Sequence, residues 1–154
     1  MEKGRRMATP ELIDKAKTVL ADTFVMYMKS HSYHWNVIGP DFPQLHEFFG
    51  NLYEDLHGAV DPLAEHIRAL DAFAPATLVR MTELSSIKED EKIPTTQNMI
   101  SNLLDANEIV LKSLDDARKK ADEDGMFGYV NFLEERMMIH AKHGWMLKAI
   151  TGKK

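Results

Sequence analysis

The stretch HSYHWNVIGPDFPQLHE, His31 to Glu47, decides how the rest of the chain is read. It holds three histidines and two acids around a Gly39-Pro40 break, in a chain with no cysteine. A Gly-Pro pair stops a helix, because glycine takes left-handed backbone angles at little cost and proline cannot continue the hydrogen-bond ladder. Helical periodicity lies on both sides of the break. The segment is therefore a corner between two helices, with His34 and His46 each about six residues from the bend.

Upstream, Thr9 is a suitable N-cap with Pro10 at the first helical position. Leu12, Ala16, Val19, Thr23, Met26, Tyr27 and Ser30 follow as a stripe of small and apolar residues at helical spacing. Downstream, Asp41 is placed to cap a second helix whose core face is Leu45, Phe48, Phe49, Leu52, Leu56, Ala59, Val60, Leu63, Ile67 and Leu70. Pro62 falls inside that stripe, which continues in phase, so a kink is expected there and not an end. Residues 71–95 are mixed, with a short helical piece expected around Glu83–Asp90. A third long helix is expected from about Thr96 to Ala121, a turn at Gly125 and Gly128, and a fourth long helix to about Ile150. The expected architecture is all-α: a single four-helix bundle over residues 9–150, with a long connection between the second and third long helices, as in ferritin-like folds. Residues 1–8 and 151–154 are expected to be tails, the first of them flexible.

Composition narrows the chemistry. The 154 residues suit one domain with a sizeable core, and a formal net charge of -5 argues against a general polyanion binder. Without cysteine, zinc-thiolate and iron–sulfur sites are excluded, so any metal must be held by histidine and carboxylate. The segment MEKGRRMATPELID has basic residues but no apolar run behind them, and no stretch reaches the roughly 18 apolar residues of a membrane span. A cytoplasmic protein is the expectation.

If the two helices at the corner are antiparallel, His34 and His46 stand at similar height on neighbouring helices, where they are either metal ligands or two polar residues at a helix corner. Asp61 and Glu65, four apart, share one helix face, which alone reads equally as a solvated acidic surface. On a helical wheel with His46 at zero, Asp61 falls near about 60° and Glu65 near about 100°, whereas the core residues centre near about 270°. All three point away from the core. At about 1.5 Å per residue, however, His46 and Asp61 are roughly 22 Å apart along the axis, and ligands sit about 2 Å from an ion. Either the two pairs are unrelated, or the second helix meets a second copy of itself across a two-fold axis, which creates two equal sites per dimer. An intrachain di-iron core is poorly supported, because only Glu54-Asp55-Leu56-His57 has the Glu-x-x-His pattern such a core uses twice.

The motif HWNVIGPDFPQLHE followed by DPLAEHIRAL resembles the signature of the Dps family, miniferritins named as DNA-binding proteins from starved cells, and HAKHGWMLKA resembles that family's last helix. The resemblance covers about residues 9–150. It implies a hollow homo-dodecamer of four-helix subunits that oxidises Fe(II), preferentially with hydrogen peroxide, and stores ferric mineral inside. By motif position it implies that iron is bound by His34 and His46 of one subunit with Asp61 and Glu65 of a two-fold partner, beside Trp35.

Three positions depart from the family pattern. Gly50 stands one turn after His46, where many members carry an acid, so the second iron of a pair loses a ligand unless Glu47, Glu54 or His57, which read more readily as solvated residues, substitutes for it; an aspartate at 50 is expected to supply one. Pro62 lies inside the Asp61–Glu65 motif. Met126 and Asn131 replace acids that often line the family's three-fold pore, leaving Asp122, Glu123 and Asp124 as the nearest carboxylates. Lys3, Arg5, Arg6, Lys153 and Lys154 give basic tails that twelvefold repetition could make a weak, non-specific DNA contact. Two rivals stand beside the iron-storing shell: a structural or DNA-coating shell with weakened iron chemistry, and a small helical protein holding zinc or manganese.

Overall fold

The computed structural model describes residues 6–154. The tail expected over residues 1–8, with Lys3 and Arg5, therefore lies mostly outside the described residues. Five helices and no strand occur among the described residues: α1 Pro10–Asn36, α2 Phe42–Ala69, α3 Leu78–Leu84, α4 Thr96–Glu123 and α5 Phe127–Ile150. The fold is all-α and ferritin-like, as expected. No helix is long and apolar enough to cross a membrane among the described residues.

The helix ends follow local chemistry. Thr9 Oγ1 accepts from Leu12 N at 3.3 Å, with Pro10 at the start of α1. Gly39 takes φ +121°, a value that side chains rarely tolerate, and the corner closes with Phe42 N donating to Gly39 O at 3.1 Å. Asp41 occupies the cap position of α2, but its side chain makes no capping bond. Gly125 (φ +74°) ends α4, with Met126 N donating to Ala121 O at 2.9 Å; Gly128 lies within the first turn of α5 and not in the turn itself.

The pairing of ends gives the topology. Thr9, at the start of α1, donates from its N and Oγ1 to Asp124 at the end of α4 (2.9 and 2.7 Å), so α1 and α4 are antiparallel. This use of Asp124, whose side chain also lies 3.5 Å from Lys120 Nζ, removes it from the carboxylates free at that turn. α1 packs against α2, α3 and α4, and α4 against α5. The core between them includes Leu12, Val19, Met26, Phe49, Leu56, Leu63, Leu103, Leu114, Leu133 and Leu147. Of the expected second-helix stripe, Leu45, Phe49, Leu52, Leu56, Ala59, Leu63 and Ile67 are buried, and Phe48, Val60 and Leu70 lie at its edge. The stripe runs through Pro62 without ending the helix.

The short helix sits earlier than Glu83–Asp90. Thr77 Oγ1 starts it by accepting from Arg80 N at 3.2 Å, and it ends at Leu84. Ser85 N still closes the helix onto Met81 O at 3.0 Å, while the buried Asp22 carboxylate takes Ser85 Oγ (2.7 Å), Ser86 N (2.9 Å) and Ser113 Oγ, so the chain leaves α3 towards α1 at Ser86. Farther on, Asp90 accepts from Tyr33 Oη at 2.6 Å and pairs with the buried Lys29 at 3.3 Å. The long connection is thereby strapped across α1.

α2 and α5 are joined by long polar side chains. Arg136, 6% exposed, forms a two-pronged pair with Asp55 (3.0 and 3.0 Å), and His143 Nε2 donates to the same carboxylate at 2.7 Å. His140, fully buried, donates from Nδ1 to Asn107 Oδ1 at 2.8 Å and accepts from Arg136 at 3.2 Å through Nε2. Burial foremost, then the charge of Arg136, keeps His140 neutral. Both C-terminal histidines thus serve the bundle. Burial alone would raise the Asp55 pKa; hydrogen bonds from His143 and Arg136 outweigh it and hold the carboxyl well below the usual range. A depressed folded pKa contributes stability above about pH 4 that is lost as pH falls through the acid range. Asp55→Asn is expected to lose about 2 kcal/mol at pH 7. Melting curves at pH 7 and pH 3 are expected to show the gap between wild type and variant narrowing at the lower pH.

Candidate metal centre

His34 lies in the last turn of α1 and His46 in the second turn of α2, on either side of the corner. Their rings stack at 3.8 Å between centroids with 15° between planes. Each ring nitrogen Nδ1 bonds to the other residue's backbone carbonyl: His34 Nδ1 to His46 O at 2.6 Å, and His46 Nδ1 to His34 O at 2.6 Å. A carbonyl oxygen only accepts, so each Nδ1 carries the proton and donates. In the neutral ring that leaves Nε2 unprotonated, with its lone pair available to a metal ion. The bond to His34 O also satisfies a carbonyl in the terminal turn of α1, where the helix offers no further N–H.

An aromatic pile flanks the pair. His31 lies between Tyr53 (3.8 Å, 8°) and Trp35 (4.0 Å, 37°), and its Nδ1 is hydrogen-bonded to Tyr27 Oη at 2.9 Å. Tyr53 also touches His34 edge-on at 5.2 Å, and His57 stands edge-on to Tyr27 at 4.9 Å. Burial first, then the neighbouring His34 and His57, lowers the His31 pKa. Trp35 remains 60% exposed. A large exposed aromatic thus stands beside two partly buried imidazoles on this face of α1 and α2.

Asp61 and Glu65 lie exposed farther along α2. No group of three or more His, Asp or Glu side chains able to hold a metal occurs among the described residues. The structure thus brings His34 and His46 together and leaves Asp61 and Glu65 apart from them within one chain. Glu47, Glu54 and His57 are exposed and join no cluster. Gly50 is buried, and the His34 ring fills the space above it: a Cβ built there would lie 3.1 Å from both His34 Cε1 and Nδ1. The tyrosines of the pile and the seat at Gly50 have no sequence motif beyond helical spacing, and they emerge only when α1 and α2 are packed.

The ferritin-like domain family matches residues 13–154. General stress protein 20U of Bacillus subtilis is 36% identical over 145 residues, covering 92% of this chain and 98% of that protein. The DNA protection during starvation protein of Brevibacillus brevis is 35% identical over 130 residues, covering 84% and 87%. The chain belongs to the Dps family of ferritin-like proteins. The crystal structure of a Dps protein from Bacillus brevis superimposes with a TM-score of 0.88 at 33% identity, over 92% of this chain and 95% of that one. A Dps protein from Vibrio cholerae, described as a member of a broad superfamily of ferritin-like diiron-carboxylate proteins, superimposes with a TM-score of 0.88 at 28% identity, over 96% and 99%.

The free Nε2 atoms and the adjoining Trp35 set up a spectroscopic test. In a Trp145→Phe background, Trp35 is the remaining tryptophan. Added Co(II) is expected to quench its fluorescence saturably, and His46→Ala in the same background is expected to abolish that quenching.

Proposed function

We propose that this Dps protein is a miniferritin that oxidises Fe(II) and stores the ferric product inside a hollow homo-oligomeric shell, protecting its cell from oxidative damage. Fe(II) is the substrate, held by His34 and His46 of one subunit with Asp61 and Glu65 of a two-fold-related subunit. The observation that carries this reading is the half-site: two imidazoles with Nε2 free, and two carboxylates on the same outer side of α2 but roughly 22 Å away along it. An antiparallel contact between two copies of α2 joins the halves and yields two equal sites. Family membership supports the iron-storage role and a homo-oligomeric shell; the dodecamer is the assembly proposed.

The donor set suits a first-row divalent ion: two neutral nitrogens and two anionic oxygens, whose charge offsets that of Fe(II) and favours Fe(III) after electron loss. Nδ1 of each histidine is held by a carbonyl, so neither ring must turn or change tautomer when the ion arrives. With hydrogen peroxide as the proposed oxidant, two Fe(II) give two electrons, peroxide takes them with two protons, and two waters leave. Such two-electron reduction releases no hydroxyl radical. A cytoplasmic setting follows the same reading. Weak contact with DNA would rest on the exposed Lys153 and Lys154 together with Lys3, Arg5 and Arg6. Gel shifts at rising salt separate that DNA-coating role from iron oxidation.

Sharing of sites between subunits is testable by complementation. A His34→Ala/His46→Ala subunit and an Asp61→Asn/Glu65→Gln subunit are each expected to assemble without Fe(II) oxidation. Co-expressed at equal levels, half of the two-fold pairs are mixed and each mixed pair has one intact site, so roughly a quarter of the wild-type rate is expected. No recovery in a properly mixed shell contradicts a shared site.

A further inference from the structure

His140 is a fully buried ionisable group that has no part in the iron chemistry. Asn107 on α4 and Arg136 on α5 hold its two ring nitrogens. The orientation of Asn107 is fixed by a bond of its own: Nδ2 donates to His140 O at 2.9 Å, so Oδ1 is the atom that faces the ring, and it only accepts. His140 Nδ1, 2.8 Å away, therefore carries the proton. On the other side Arg136 offers N–H groups alone, at 3.2 Å, so Nε2 must present its lone pair. Both neighbours thus require the same neutral tautomer. A second proton on the ring would set an N–H at Nε2 against the N–H of Arg136, donor against donor.

The charge balance points the same way. Arg136 is permanently charged and is paired with Asp55 on α2, which also receives His143 Nε2 at 2.7 Å. Asp55 is the one carboxylate bonded to this cluster among the described residues, so a charged His140 would be a further cation with no anion of its own. Burial foremost, then Arg136 and His143, holds the His140 pKa well below the ordinary histidine value, and Asp55 opposes them only in part. The cluster also sits where the bundle is thinly joined. α5 packs closely on α4 but not on α2, and a groove of about 540 Å³ lies between α2 and α5, with Asp55 and His143 in its wall. We propose that His140 is an acid-sensitive latch: as a neutral ring it holds α5 to α4 and, through Arg136, to α2, and its protonation frees α5 and opens the seam between α2 and α5.

The test is hydrogen–deuterium exchange of the assembled protein at pH 7.5 and pH 5.0, read by mass spectrometry on peptides from each helix and corrected for the intrinsic change of exchange rate with pH. A ring that titrates normally when α5 is free, and stays neutral while α5 is docked, favours the free form by about tenfold for each pH unit below about pH 6.5. Protection over residues 136–147 and around Asn107 is therefore expected to fall roughly thirtyfold between the two pH values, with α1 little changed. At pH 5.0 the Asp55 carboxylate is still ionised, so its own titration does not enter. His140→Gln, which can donate to Asn107 and accept from Arg136 without titrating, is expected to keep its protection. His143→Gln is expected to lose protection as wild type does. His31 and His66, whose pKa values burial also lowers, are retained in every variant. The proposal is overturned if wild type keeps its protection at pH 5.0, if His140→Gln loses as much as wild type, or if His143→Gln abolishes the loss. Loss spread evenly over all the helices also overturns it, because that reports unfolding of the whole subunit and not release of α5. Should His140→Gln not assemble, His140→Leu/Asn107→Leu, which replaces the buried polar pair with apolar side chains, carries the same decision.

Discussion

Two hydrogen bonds tie the account together: His34 Nδ1 to His46 O and His46 Nδ1 to His34 O, each 2.6 Å, across the corner of α1 and α2. They do structural and chemical work at once. As structure, they bind the last turn of one helix to the second turn of the next and satisfy a terminal carbonyl. As chemistry, they place a proton on each Nδ1, which in the neutral ring leaves the lone pair on Nε2. Every surrounding feature is arranged around that pair. Gly39 makes the corner tight enough for the helices to meet, Gly50 leaves room for the ring, and Tyr53 packs edge-on against it.

The fold keeps its charged side chains in two separate economies. Inside, Asp55, Arg136, His143, His140 and Asn107 hydrogen-bond one another between α2, α4 and α5. Asp22 and Asp124 are spent on fastening the long connection and the start of α1. Outside, Asp61 and Glu65 stay exposed. In the proposed two-fold contact these two carboxylates would face the histidine pair, and their like charges would repel until a cation arrives. On this reading, ion binding and subunit contact reinforce each other, because the ion neutralises the groups that the contact brings together.

Much of this was legible in the sequence because it depends on spacing along single helices. Thr9-Pro10 and Gly39-Pro40 mark ends by local backbone chemistry, and the α1 and α2 stripes bury as their periodicity predicts, with Tyr27 at the margin. His34 and His46 meet because equal distances from one bend put them level. What was not legible depends on side chains reaching between distant segments. The short helix stops at Leu84 because Asp22, 63 residues from Ser85, takes the Ser85 hydroxyl and the Ser86 N–H. Asp124 resembles a free acid at a helix end until Thr9, 115 residues away, takes its carboxylate. Gly50 reads in sequence as a position without a side chain, and only the packed structure places the His34 ring against it. A one-helix view counts absent side chains, whereas packing shows what fills their place.

The central claim is that the ion site is completed by a second copy of the chain. Its most direct test is a crystal structure of the protein soaked with Co(II), with anomalous scattering used to locate the metal. The account predicts cobalt on the outer face of the α1–α2 corner, about 2.0–2.2 Å from His34 or His46 Nε2 and from carboxylate oxygens of Asp61 and Glu65 of the partner subunit, with an equal site across the two-fold axis. Cobalt bound within one chain, or cobalt at the Asp55 and His143 cluster with the His34–His46 pair left without metal, would contradict it.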